Sequence, residues 1–175
     1  EPFQNDSQTP GFKLHRSMWP RPERLLLRED NETLGLRFDV EYFSPVNQPI
    51  GSLIRLIKIT NTSGKPVKLE GLDGLALILP ATLPDYIIKS LRRISEAYAS
   101  VELIDGKVPY YSSKVQVHDA DEVTRIHHGH FYAAYHSNEK TFSAIEPYVD
   151  PDVIFGCGCD LITPRNFLKA EAITR

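Results

Sequence analysis

The sequence predicts a mainly β domain, an antiparallel β-sandwich with one inserted helix around residues 84–98, and three observations carry that expectation. Apolar and polar residues alternate with period two over 34–42. Apolar and β-branched residues dominate 53–60, and turn-forming residues recur at close spacing through most of the chain. Alternation places successive side chains on opposite faces of a strand, a pattern an amphipathic helix does not produce.

Taken in order, residues 1–22 carry Pro2, Pro10, Pro20 and Pro22 among Asn, Gln and Ser. Proline lacks an amide donor, so this stretch reads as an extended N-terminal arm. Residues 11–16 are able to pair at a sheet edge, and Trp19-Pro20-Arg21-Pro22 reads as a connector packed on a neighbouring domain. The β-sandwich domain is expected over 23–166.

Within it, Leu36, Phe38, Val40 and Tyr42 alternate with Arg37, Asp39 and Glu41; this strand has one face for a core. The run Ile54, Leu56, Ile57 and Ile59 is apolar on both parities, which predicts a more central strand covered on both sides. Asn61-Thr62-Ser63-Gly64-Lys65 supplies turn chemistry, and 66–70 resumes alternation, so 53–70 reads as a hairpin.

Ile87, Leu91, Ile94 and Tyr98 recur at helical spacing after Pro84, giving the inserted helix. Strands are then expected at 100–104 and 108–117 about an Asp105-Gly106 turn, and at 123–126, 131–136 and 141–145. Residues 167–175, rich in Ala, Glu and Leu, read as the start of a truncated C-terminal segment.

The totals exclude several function classes. With 20 Lys and Arg against 23 Asp and Glu, the net charge is -3. Phosphate neutralisation needs clustered cations, so nucleic acid is not an expected partner. No apolar run approaches the roughly 20 residues that cross a bilayer, so a membrane is not expected either. The chain opens on Glu1 with Met18 as its single methionine, and reads as a processed or trimmed polypeptide. Cys157 and Cys159 are too few and too close for a disulfide framework, which suggests a reducing, cytoplasmic setting.

The histidines are the most suggestive chemical feature. On one continuous strand, His128, His130, Tyr132 and His136 would share a face, with Phe131, Ala133 and Tyr135 behind them. Such a face suits contact with sugar hydroxyls or a neighbouring domain, and Trp19 is a further contact candidate. His128 and His130 are weak candidates for metal ligands, with His118, Asp119 or Asp121 to complete a site. Cys157-Gly158-Cys159 lacks the second pair of a zinc site and any identified base, and reads as a tight loop. The aspartates at 73, 85, 119, 121, 150, 152 and 160 single out no acid–base pair, since the required separation is spatial. No catalytic residue and no cofactor is assigned.

Residues 52–67, with Leu72-Asp73-Gly74-Leu75, Ile78-Leu79-Pro80, Gly129-His130-Phe131-Tyr132 and 149–156, resemble the N-terminal β-sandwich, a supersandwich-like fold, of cellobiose-phosphorylase-like proteins. The similarity covers roughly residues 34–165, in pieces. In that family the sandwich precedes an (α/α)6 barrel that holds the general acid and the phosphate site. The resemblance implies a non-catalytic accessory domain of a glycoside phosphorylase acting on β-linked glucosides. Its roles would be domain packing, oligomerisation or shaping of the substrate entrance. The implied partners are the helical catalytic domain of the parent polypeptide, a second copy in a homodimer, and an oligosaccharide. Cys157 and Cys159 depart from the polar residues expected in that loop. Two other classes stand beside this one. An independent carbohydrate-binding module would stack sugars on Trp19, Tyr110, Tyr111, Tyr132 or Tyr135. A small metal-dependent or epimerase-like β enzyme would use His128 and His130.

Overall fold

The computed structural model describes residues 2–3, 11–75, 78, 89–90, 97–114, 121–122, 126–138, 141–157, 161 and 163–169. They form a mainly β structure of three antiparallel sheets, with a short helix at Pro151–Phe155. None of the sheets is closed, and the strands described do not by themselves make a sandwich. The chain divides into two compact units, Glu1–Glu70 and Gly71–Arg175. That boundary falls inside the stretch 23–166 expected as one domain.

The first unit is a four-stranded meander of β1 (Leu14–Arg21), β2 (Arg24–Asn31), β3 (Leu36–Phe43) and β4 (Ile54–Asn61). The arm expected over 1–22 is therefore, over Leu14–Arg21, an edge strand; Pro20 is accommodated there because a proline in an edge strand need not interrupt two ladders. The register gives the sheet two unlike faces. Met18, Leu27, Val40 and Ile57 form one row, flanked by Phe38 and Ile59. On the other face Arg28 lies opposite Asp39, and Asp30 opposite Arg37.

The alternation over 34–42 works as expected. Leu36 and Val40 are buried, while Arg37, Asp39 and Glu41 pair with Asp30, Arg28 and Arg24 at 2.6, 2.6 and 2.8 Å. Gly35 makes the β2–β3 turn possible. Its φ is +63°, and a Cβ there would stand 2.9 Å from Ser63 Cα, so a side chain is excluded twice over.

Strand β4 departs from expectation. It lies at the edge of the meander, and its apolar residues are exposed on both faces, Leu56 at 57% and Ile59 at 48%. The turn after it forms, with Asn61 Oδ1 accepting from Ser63 N–H at 2.9 Å and Asn61 Nδ2 donating to Lys65 O at 2.6 Å. No returning strand follows: residues 66–70 are irregular and exposed. An apolar run reports how a strand's faces are to be covered, and leaves its place in the sheet order undetermined.

The second unit holds the three-stranded sheet of β5 (Ala99–Ile104), β6 (Val108–Ser113) and β7 (Gly129–Phe131), and the hairpin of β8 (Tyr135–Ser137) and β9 (Phe142–Ala144). The β5–β6 turn is the expected one. Asp105 and Gly106 both have positive φ, 51° and 68°, and Lys107 N–H closes it on Ile104 O at 3.0 Å. Of the helix expected over 84–98, Lys89, Ser90 and Ala97 are helical and Tyr98 is a turn residue; the remainder lies outside the described residues. The same holds for the expected strand at 123–126, of which Ile126 alone is described, as irregular chain.

The short helix α1 (Pro151–Phe155) was not legible as a helix among the closing prolines. Asp150 caps it, its carboxylate accepting from Asp152 N–H at 2.9 Å, with Pro151 in the first turn. Ile154 is buried, and Asn166 N–H returns to Ile154 O at 3.0 Å. The described part of the C-terminal segment expected over 167–175 is turn and bend.

Candidate functional site

The segment 126–138 carries the residues singled out by sequence, and the structure does not run it as one strand. Strand β7 ends at Phe131, residues 132–134 are irregular, and β8 begins at Tyr135. Parity argues for a common face only along an unbroken pleat. The shared face expected for His128, His130, Tyr132 and His136 is therefore corrected.

Each of the four has its own surroundings. His128 precedes β7 and is exposed. His130 lies opposite Tyr111 in the β6–β7 ladder, itself exposed while Tyr111 is half-buried. Burial pushes the Tyr111 phenol above its usual range. Tyr132 is half-buried; its hydroxyl donates to Asp73 Oδ2 at 3.2 Å and its N–H to Pro109 O at 3.1 Å. His136 sits in β8 opposite Ser143 and is exposed. No group of three His, Cys, Asp or Glu placed to hold a metal occurs among the described residues. His118, Asp119, Cys159 and Asp160 lie outside them; Cys157 is exposed.

Residue 129 is glycine for a packing reason. A Cβ there would fall 2.6 Å from both Tyr110 Oη and Tyr111 O. The Tyr110 ring thus covers the backbone of β7 beside His130, and no side chain fits between them.

Trp19 belongs to the other unit. It lies on the charged face of the four-stranded sheet, with the Arg28 guanidinium 5.6 Å from its ring centroid. A hydrogen bond to Asp39 raises the Arg28 pKa, with burial opposing. Arg28 is thus held charged between a carboxylate and an aromatic face, which accounts for the ring's position without a ligand.

Sequence reasoning passed over one aromatic pair. Tyr135 and Phe142 stack with ring centroids 4.7 Å apart and planes 14° from parallel, and both are exposed, at 50% and 71%. They sit diagonally across the β8–β9 hairpin, where Tyr135 lies opposite Ala144 and Phe142 opposite Ser137.

Comparison with models of protein families, with curated proteins and with solved structures gives no match to this chain.

Proposed function

We propose that the chain is a non-catalytic accessory β-domain of a cytoplasmic carbohydrate-active enzyme, a glycoside phosphorylase acting on β-linked glucosides. The four-stranded sheet is one layer of a sandwich, and its role is to pack against the helical catalytic domain, support oligomerisation or shape the substrate entrance.

The observation that supports this reading is the partly exposed apolar face of the meander. Met18 is 63% exposed in the same row as the buried Val40, and β4 presents apolar side chains on both faces. Apolar patches beyond a few hundred Å² tend to mark interaction surfaces. The pattern resemblance over roughly residues 34–165 supplies the carbohydrate context.

The test is phosphorolysis. The full-length gene product, given inorganic phosphate and a β-linked glucoside, is expected to release glucose 1-phosphate, and the 175-residue chain alone to release none. Turnover by the isolated chain, or a full-length product without phosphate-dependent cleavage, would overturn the proposal.

A further inference from the structure

The second unit contains a hollow of about 250 Å³ lined in part by Asp105, Lys107, Ala133, Ala134, Tyr135 and Ala144. Two hydrogen bonds build it. Tyr132 N–H donates to Pro109 O at 3.1 Å, carrying the β6–β7 pairing past the end of β7. Ile145 N–H donates to Ala134 O at 2.9 Å, carrying the β8–β9 pairing past the start of β8. The chain at 132–134 is thereby fastened on both sides, and its alanines leave space where larger side chains would fill it.

We infer that this hollow is a binding site for one neutral pyranose ring. Four properties argue for that class. The volume lies below the roughly 300–1,000 Å³ of drug-sized sites, which fits a single ring. Asp105 and Lys107 carry opposite charges, so the lining favours a neutral ligand rather than a phosphate or carboxylate. A carboxylate and an ammonium beside alanines and an aromatic suit a ligand with a hydroxyl rim and an apolar C–H face. Lastly, the aromatic ring and the backbone of the turn are held in advance of binding. Phe142 fixes the plane of the Tyr135 ring, and the positive φ values at Asp105 and Gly106 belong to a tight turn. Preformed groups lose little freedom when a ligand arrives.

The inference takes its carbohydrate context from the proposed function but assigns sugar contact to a place that reading leaves open. The expected site at His128, His130, Tyr132 and His136 is replaced by one formed from the β5–β6 turn and the start of β8.

Titration of the 175-residue chain with methyl β-D-glucopyranoside, followed by nuclear magnetic resonance, tests it. Saturable shifts are expected at Asp105, Lys107, Ala134 and Tyr135, with Kd of about 1 mM, the strength of a small single-ring contact. Tyr135→Ala should weaken binding about tenfold. Asp105→Asn keeps a residue that tolerates positive φ while removing the charge, and should weaken it several-fold with the spectrum of the free chain preserved. No saturable shift up to 50-fold that concentration (about 50 mM) would overturn the inference. Unchanged affinity in Asp105→Asn would do the same, as would saturable binding of adenosine with none of the glucoside. Each of those failures leaves the phosphorolysis outcome of the full-length product unaffected.

Discussion

Arg16 and Glu29 are joined across the first two strands by a 2.7 Å contact between Nε and Oε2, on the apolar face of the meander. Glu29 is 2% exposed, and the same oxygen accepts the Phe3 N–H at 2.8 Å. A buried carboxylate on an apolar face is tolerable only with such partners. Its neighbours in the register, Phe38 and Ile59, are both apolar.

Replacing that carboxylate should cost stability in the first unit. Glu29→Ala is expected to lower it by about 1–3 kcal/mol, the usual loss when a buried hydrogen-bonded group goes. Glu29→Gln should cost less, since its amide oxygen still accepts from Phe3. Urea denaturation followed by fluorescence reads the first unit selectively, because Trp19 is the single tryptophan.

The charged face should matter less. Arg28→Ala removes the contacts with Trp19 and with Asp39, both at partly exposed side chains. Cation–π contacts and surface ion pairs at solvent-exposed side chains contribute little, because water screens them. A double-mutant cycle on Arg28 and Asp39 in the same assay should return a small coupling, smaller still in high salt.

Gly129→Ala should perturb the second unit. The added carbon meets Tyr110 Oη and the Tyr111 carbonyl at 2.6 Å, and overpacking of this kind costs about 1–3 kcal/mol. Tyr110→Ala in the same chain should recover only part of the loss, because the backbone oxygen remains. Circular dichroism melts of the three variants check this.

Alkaline pH should weaken the second unit through Tyr111. Burial raises the phenol above its ordinary value of about 10, so the folded chain holds the proton more tightly than the unfolded one. The associated stability is complete below about pH 10 and is lost as pH rises through the folded value. Circular dichroism melts across that window should show the decline in the parent chain and a shallower one in Tyr111→Phe.

Much of the strand inventory was legible in the sequence, and the reasons are local. The alternation from Leu36 to Tyr42 and the Asp105-Gly106 turn are rules a strand and a hairpin must obey wherever they lie. The edge position of β4 was not legible, because Ile54, Leu56, Ile57 and Ile59 specify apolar surroundings and not which strand supplies them. The histidine face failed at one point: the pleat stops at Phe131 and restarts at Tyr135, and parity does not survive such a break. The hollow beside Tyr135 depends on Asp105 and Ala133 meeting across the fold, a proximity that spacing along the chain does not encode.

On the proposed function, the apolar face of the meander is covered by the rest of a larger enzyme. Met18, the chain's single methionine, stands on that face and is well exposed. Hydroxyl-radical footprinting should find Met18 readily oxidised in the 175-residue chain and strongly protected in the full-length gene product. Equal oxidation in the two would contradict the account.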